Sequence, residues 1–308
     1  MINSIHFILT YMCNSECDHC FVFGSPTAKG TFTPTQLISV FSEIDKIDTI
    51  ESVYFEGGEP FLFFPLMLEG IKLAKDRGLL VGIVTNAYWA TSEDTAELYL
   101  KPLAKIGIDD LSLSDDTFHV EDNDFKPVNN AIKASKKLGI PTDIISIEEP
   151  KVIRSTNANL IKGKPVVGGD VMFRGRAVDL LLSGLPKTYW KKFDDCPYED
   201  LKNPERVHID SYGCVHLCQG LLKGNMWQTP LSQLIYDYDS DKHPIASLIL
   251  KGGPTELTKA SGFKHSRFYV DACHLCYECR KSLLGKFPEY LGPTNVYGID
   301  NPGLNTGK

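Results

Sequence analysis

The chain has 308 residues, of which 43% are hydrophobic and 23% are charged, so it can bury a large core and is not a disordered chain. A formal net charge of −7 argues against broad nucleic-acid binding, which needs a cationic surface. No apolar run approaches the roughly 20 residues needed to cross a bilayer, and the N-terminal segment lacks the basic region of a signal peptide. We therefore expect a cytoplasmic protein with no membrane or nucleic-acid partner.

Strand-like apolar segments alternate with amphipathic helical segments over the first 175 residues, which is typical of a parallel sheet with right-handed crossovers. The predicted strands are Ser4–Leu9, Ser52–Phe55, Leu80–Val84, Asp110–Leu113, Thr142–Ile147 and a short sixth strand at Val171–Phe173. The predicted helices are Thr35–Ile47, Pro65–Arg77, Ser92–Lys105 and Val128–Leu138. Six strand–helix units are too few for a closed eightfold barrel, so we expect an α/β fold built as a partial (β/α)6 barrel. Its active site should lie at the C-terminal ends of the strands.

The pattern changes after about residue 176, where tyrosine and proline become frequent. Arg206–Asp210 and Val215–Leu217 form a predicted hairpin, and short helices are expected at Leu231–Tyr236, Pro244–Leu250 and Thr255–Ala260. We expect residues 1–175 to form the barrel, 176–195 a linker, and 196–308 a smaller second domain. Because regular structure is sparse there, this domain should need bound metal to fold.

The nine cysteines fall into groups with short spacings. The first group has the pattern C-x3-C-x2-C, a lone cysteine follows far along the chain, and C-x3-C and C-x2-C-x2-C come later. Such closely spaced thiols in a reducing compartment are typical of metal sites rather than of disulfides.

The first group, Cys13, Cys17 and Cys20, directly follows the first predicted strand. Three thiolates on one compact loop can hold three irons of a 4Fe-4S cluster and leave the fourth iron open to another ligand. The alternative is a structural zinc ion with His19 as its fourth ligand, although His19 and Cys20 are adjacent and would chelate one ion with strain.

This cysteine loop, with aromatic His19 before Cys20, resembles the radical S-adenosylmethionine (SAM) superfamily. Gly57-Gly58-Glu59-Pro60 follows the second predicted strand and resembles the GGE motif of that family. The resemblance implies one 4Fe-4S cluster and bound SAM, whose reductive cleavage gives a 5′-deoxyadenosyl radical that abstracts a hydrogen atom from the substrate. An electron donor such as a flavodoxin or ferredoxin is then required.

The resemblance also implies a set of cofactor-binding residues at the strand ends and on the cysteine loop. They are His19, Phe21, Gly57, Gly58, Glu59, Thr85, Asn86, Ser114 and, from a GRA-type segment after the sixth predicted strand, Arg174. Simpler explanations exist for several of them. Gly57-Gly58 could be an ordinary strand-to-helix turn, Asn86 and Ser114 could cap local turns, and Arg174 could be a solvated linker charge.

The later cysteines resemble the C-terminal auxiliary-cluster regions called SPASM and twitch. The full SPASM pattern has seven cysteines, whereas this chain has six after residue 195, so the one-cluster twitch layout fits better. By this resemblance, one auxiliary 4Fe-4S cluster is assigned to four cysteines: Cys196, Cys218, Cys273 and Cys276. A zinc ribbon built from Cys214, Cys218, Cys273 and Cys276 is the alternative.

Two cysteines remain, Cys214 and Cys279. They could be alternative ligands, with Cys214 replacing Cys218 and Cys279 replacing Cys276, or they could belong to a second auxiliary cluster. Alternatively, one could be a free thiol that donates a hydrogen atom to a substrate radical. We assign this catalytic role to Cys214, because it lies in the hairpin turn, and keep Cys279 as an alternative metal ligand.

The resemblance predicts a radical SAM enzyme that acts on an amino-acid residue of a ribosomally made peptide, by epimerisation, crosslinking or desaturation. A twitch-type dehydrogenase acting on a small molecule, such as an amino sugar or an alcohol, is the first alternative. A non-catalytic iron-sulfur or zinc protein is the second.

Overall fold

The computed structural model describes residues 1–119, 127–156 and 163–299. Its main sheet has eight strands in the order β11-β10-β9-β1-β2-β3-β4-β5. The strands of this sheet are β1 (Ser4–Thr10), β2 (Ser52–Gly57), β3 (Leu80–Thr85), β4 (Asp110–Ser114), β5 (Thr142–Ile145), β9 (Arg206–Asp210), β10 (Cys214–Cys218) and β11 (Leu221–Asn225). Neighbours from β9 through β5 are parallel, while β10 and β11 return antiparallel. This is the α/β parallel-sheet architecture expected from the sequence.

Four helices connect the parallel strands: α1 (Pro34–Ile44), α2 (Phe64–Lys75), α3 (Glu93–Ile106) and α4 (Pro127–Leu138). The start of α1 is fixed by a capping box, in which Thr33 accepts from the Gln36 amide and Gln36 accepts from the Thr33 amide. Its buried face packs on the sheet, where Phe7 of β1 stacks on Phe41 of α1 and on Phe55 of β2. Alternate strand residues therefore face the helices and the interior of the barrel.

The remaining elements lie after β5. They are β6 (Lys151–Arg154), β7 (Pro165–Gly168), α5 (Arg176–Leu180), β8 (Thr188–Tyr189), α6 (Leu231–Tyr236), α7 (Ala246–Ser261), β12 (Phe268–Tyr269) and α8 (Ala272–Leu283). Strands β6 and β7 form an antiparallel pair, and so do β8 and β12. Within the described ranges, no helix is both long and apolar enough to cross a bilayer.

One expectation about secondary structure was wrong. Val171–Phe173 is not a strand; these residues are irregular and pack with Tyr277 and Tyr297 in a second apolar cluster. The apolar run therefore reflects burial without sheet pairing. The two helices expected at Pro244–Leu250 and Thr255–Ala260 are confirmed as the two helical parts of α7, which are separated by the non-helical residues Gly252 and Gly253.

The predicted hairpin has a position that its sequence did not indicate. Its first strand, β9, pairs in parallel with β1, with Ile5 opposite Val207 and Phe7 opposite Ile209. The sixth parallel strand of the sheet therefore comes from the C-terminal part of the chain rather than from residues 171–173. Consequently, the main sheet crosses the predicted boundary between the two domains.

Candidate active site

A cavity of about 290 Å³ opens at the C-terminal ends of the parallel strands. It brings together eleven of the residues predicted from the sequence: Cys13, Cys17, His19, Cys20, Phe21, Gly57, Gly58, Thr85, Asn86, Ser114 and Arg174. Glu59 is outside the lining, and so are all six later cysteines. The cysteine loop and the ends of β2, β3 and β4 thus meet at one site, as expected for an open parallel sheet.

Backbone packing explains the two glycines of the GGE motif. The Gly58 and Glu59 amides donate to the carbonyls of Thr10 and Met12 at 2.7 and 2.9 Å, which ties the motif to the chain leaving β1. A Cβ on Gly58 would lie 2.1 Å from the Met12 carbonyl oxygen. Gly57 also has φ +134°, a backbone conformation that L side chains rarely adopt. Both glycines are therefore required for this close approach.

Glu59 joins the motif to the end of β3. One carboxylate oxygen accepts from the Phe61 amide and the Thr85 hydroxyl at 3.0 and 2.9 Å, and the other accepts from the Asn86 amide at 2.9 Å. Burial raises the pKa of Glu59 to about 7, although these three donors favour the ionised form. Glu59 thus positions Thr85 and Asn86, and its own carboxylate does not face the cavity.

The side chain of Asn86 lies beside the cysteine loop. Its Nδ2 donates to Asn14 Oδ1 at 2.9 Å and is 3.8 Å from the Cys13 sulfur. The Thr85 hydroxyl, in contrast, is fully used, because it donates to Glu59 and accepts from the Ala87 amide and the Trp89 indole. Asn86 is therefore the better placed of the two to contact a bound molecule.

Two histidines, His19 on the cysteine loop and His119 after β4, lie close together, with ring centroids 5.3 Å apart. His119 Nδ1 is 2.7 Å from the Asp116 carboxylate, and both residues line the cavity with His19. Burial lowers the pKa of His119, but hydrogen bonds to Asp116 and the Cys17 thiol outweigh it and raise the value to about 10. His19 packs on Phe118, and its Nδ1 is buried without a hydrogen-bond partner among the described protein atoms.

Arg176 holds the cysteine loop in place. Its guanidinium donates to the carbonyls of Cys17 and Gly24 at 2.7 and 2.8 Å, and its backbone amide donates to the Cys20 carbonyl. A Cβ on Gly175 would lie 2.4 Å from Phe21 Cα, so this segment packs directly on the loop. Arg176 therefore acts on the backbone of the loop rather than on a free carboxylate.

Arg174 connects the cavity wall to the later cysteines. Its Nη1 donates to the Cys218 sulfur at 2.9 Å and lies 3.8 Å from Glu199, while its guanidinium packs over the Phe21 ring. Arg174 is thus a buried residue at the cavity wall that reaches the later cysteines, and it is not a solvated linker charge.

The four cysteines assigned to an auxiliary cluster lie near one another. The Cys276 thiol interacts electrostatically with Cys196 and Cys218, and the Cys273 thiol interacts with Cys218 and Cys276. Burial raises the pKa of Cys276 to about 12 and also raises that of Cys273. Iron binding would hold these thiols as thiolates and release their protons.

A buried arginine pair fits an anionic group at these four cysteines. Arg280 is 2% exposed, interacts electrostatically with Cys218, Cys273 and Cys276, and forms no ion pair with a carboxylate in the described part of the chain. The Nε atoms of Arg174 and Arg280 are both buried without hydrogen-bond partners. Buried guanidinium groups need anionic partners, and cluster thiolates would supply them.

A single zinc ion fits neither cysteine set well. A tetrahedral ion with Zn–S bonds of about 2.3 Å places its thiolates about 3.8 Å apart. Three groups of possible ligand side chains in the described residues have ligand atoms that all lie within 4.8 Å of one another. None of these groups contains two cysteines. The wider spread of the sulfur atoms favours a polynuclear cluster.

The two leftover cysteines lie elsewhere. Cys214 is buried in a network around Asp210, which also accepts hydrogen bonds from Tyr11, from His216 and from the Cys214 amide. It does not line the cavity, and its role as a hydrogen-atom donor stays a prediction. Cys279 is fully buried on α8, with its sulfur 3.5 Å from the Ser261 hydroxyl on α7.

The sequence of the barrel segment matches a known domain family. Residues 7–147 match the profile of the Radical SAM superfamily. The chain contains a radical SAM domain. Membership implies that SAM and a 4Fe-4S cluster bind, and Cys13, Cys17 and Cys20 fit the three-thiolate loop that such a cluster requires.

Proteins with different names resemble parts of this chain. YydG of Bacillus subtilis, named a peptide biosynthesis protein, is 22% identical over 206 residues, which are 66% of this chain and 63% of YydG. A Pyrococcus furiosus cofactor-modifying protein for tungsten-containing aldehyde ferredoxin oxidoreductase is 28% identical over 116 residues, which are 37% of this chain and 31% of that protein. The matches thus span less than two thirds of these relatives.

Two solved structures share a low level of similarity with this chain. AdoMet-bound anSMEcpe is 14% identical, with a TM-score of 0.47, covering 94% of this chain and 98% of that one. SuiB of Streptococcus suis bound to its precursor peptide SuiA is 13% identical, with a TM-score of 0.39, covering 89% of this chain and 76% of SuiB.

Proposed function

We propose that this radical SAM enzyme carries one auxiliary 4Fe-4S cluster and modifies an amino-acid residue of a ribosomally made peptide, by epimerisation, crosslinking or desaturation. The cavity supports the catalytic part, because it unites the three-cysteine loop with the glycine motif and the ends of β3 and β4. The peptide substrate is supported by the name of YydG.

We assign the open cluster to Cys13, Cys17 and Cys20, and the auxiliary cluster to Cys196, Cys218, Cys273 and Cys276. When bound, the first cluster and SAM supply the 5′-deoxyadenosyl radical. The protein holds the cysteine loop through Arg176, packs Gly57 and Gly58 against the chain leaving β1, and places Asn86 beside Cys13. The apolar residues of the cavity lining limit access of water to the reacting atoms.

The auxiliary cluster is supported by the buried arginines beside its proposed ligands. Arg174 lines the cavity and donates to Cys218, so a change in charge at the auxiliary site would change the electrostatic potential at the cavity wall. This contact favours outcomes that remove electrons from the substrate, such as crosslinking or desaturation. Epimerisation would require a hydrogen-atom donor in the cavity, and Cys214 does not line it.

A small-molecule dehydrogenase remains the second candidate. It is favoured by the limited size of the cavity, about 290 Å³, which holds only part of a peptide. An electron donor such as a flavodoxin or ferredoxin is proposed for either reaction.

Anaerobic reconstitution tests the proposal. The wild-type protein should bind about eight irons and, with dithionite and SAM, release 5′-deoxyadenosine. Cys17→Ala should lose that product and about half of the iron, while Cys218→Ala should lose only auxiliary iron. Bound zinc without iron, or no 5′-deoxyadenosine from fully loaded protein, would refute the enzymatic function. Incubation with synthetic precursor peptides and with amino sugars then separates the two substrate classes by the mass of the products.

A further inference from the structure

Three polar side chains meet on the inner face of the sheet below the cysteine loop. They come from three adjacent strands, His6 on β1, Glu56 on β2 and His208 on β9. His6 lies opposite His208 in the strand register, and Ile8, two residues after His6, lies opposite Glu56. The three side chains thus share one face of rigid, hydrogen-bonded strands, which hold ligands more precisely than loops do.

The distances among these groups are those of a small coordination sphere. His6 Nδ1 lies 3.2 Å and His208 Nε2 lies 2.8 Å from the same atom, Glu56 Oε1. The three ligand atoms all lie within 4.8 Å of one another. A tetrahedral zinc ion with bonds of about 2.0–2.1 Å spaces its nitrogen and oxygen ligands about 3.3–3.4 Å apart.

We propose that His6, Glu56 and His208 bind one divalent cation, Zn²⁺ or Fe²⁺, next to the cavity that Glu56 lines. Two histidines and one carboxylate form the ligand set that binds catalytic zinc or non-haem iron with positions left open. The cation takes the place of the two ring protons that point at Glu56. This site is separate from both proposed iron-sulfur clusters and uses none of their cysteines.

The pKa shifts of Glu56 and His208 agree with this geometry. Burial raises the pKa of Glu56, but His208 and His6 outweigh this effect and lower it, so the carboxylate is ionised. Burial lowers the pKa of His208, which keeps its ring neutral, the form that binds metal. A cation bound here would neutralise the ionised carboxylate.

The surroundings define the role of the ion. His6 stacks on Tyr54 with ring centroids 4.7 Å apart, which fixes the orientation of its ring. Glu56 lines the cavity next to Gly57 and Gly58, so an ion at this position is reached from the cavity. Its open position suits an oxygen ligand, such as a carboxylate or carbonyl of the substrate.

Metal analysis of the cluster-loaded protein tests this site. The anaerobic holoenzyme is equilibrated with Zn²⁺, dialysed against a weak chelator, and assayed for zinc, iron and sulfide. The wild type should retain about one zinc, whereas Glu56→Gln and His208→Gln should bind zinc at least tenfold more weakly, with iron unchanged. The control is His265→Gln, a histidine that packs on Trp190, which should bind zinc like the wild type.

X-ray absorption at the zinc edge of the wild type identifies the ligands even if a variant does not fold. A first shell of nitrogen and oxygen only, with histidine scattering, is expected. Sulfur ligands, no retained zinc, or equal zinc in wild type and Glu56→Gln would overturn the proposal. Because 5′-deoxyadenosine formation is measured separately, failure of this site leaves the proposed function intact.

Discussion

Replacement of Arg176 by methionine tests how the cysteine loop is held. Arg176 donates two charged hydrogen bonds, to the Cys17 and Gly24 carbonyls at 2.7 and 2.8 Å. Such bonds contribute about 1.5–3 kcal/mol each, and Arg176 is only half-buried, so we take the lower value for both. The free energy of unfolding should therefore fall by about 3 kcal/mol.

The loop should also lose its geometry, because methionine fills the space of the side-chain stem but donates no hydrogen bond. Anaerobic urea unfolding measures the stability, and iron content with 5′-deoxyadenosine formation measures the loop. Arg267→Met is the control, since Arg267 is exposed and its replacement should change stability by less than about 0.5 kcal/mol. Stability within about 1 kcal/mol of wild type, together with full iron loading, would show that the two carbonyl contacts do not hold the loop.

Three further predictions concern the glycine motif, Glu59 and the later cysteines. Gly58→Ala should abolish 5′-deoxyadenosine formation, because the new Cβ would lie 2.1 Å from the Met12 carbonyl oxygen. The control Gly285→Ala should remain active, because a Cβ there has no atom within 4 Å. Two equally active variants would contradict this packing argument. The pKa of Glu59 is about 7 in the folded protein and 4.5 in the unfolded chain. The folded state therefore binds more protons between these values, and stability should fall as pH rises from 4.5 to 7. The fall, about 3 kcal/mol relative to Glu59→Gln, is measured by urea unfolding across this range, and parallel pH profiles would contradict it. Cys214→Ala should keep both sets of iron whereas Cys218→Ala loses the auxiliary set, and iron loss in Cys214→Ala would make Cys214 a ligand.

Strands β1, β3 and β4 were predictable because most residues of their apolar runs are buried among local partners. Predicted Leu80–Val84 and observed Leu80–Thr85, for example, differ by one residue. Val171–Phe173 failed because its burial comes from packing on distant aromatic residues rather than from a sheet. The pairing of β9 with β1 was out of reach, since it joins segments about 200 residues apart that carry no mutual sequence signal.

The site was predictable where chemistry depends on spacing, as in the cysteine loop and the glycine motif. The contact between Arg174 and Cys218 could not be predicted, because the two residues are 44 positions apart in the sequence. A cofactor-binding arginine and a solvated linker arginine look the same in the sequence. The cluster of His6, Glu56 and His208 was missed for another reason. The sequence did contain a signal for a polar barrel interior, because His6 and Glu56 are next to the buried residues Phe7 and Phe55 and so face the other side of the sheet. This alternation was not used.

The shared sheet has a consequence for electron transfer. Cys218 ends β10, and the first cysteine loop leaves β1, which is joined to β10 through β9 by backbone hydrogen bonds. Tunnelling between metal centres at these two places would cross a fixed gap, because no hinge separates them along the sheet. The rate of electron transfer would then depend on the driving force and hardly on solvent viscosity. Viscosity slows only reactions that require domain closure.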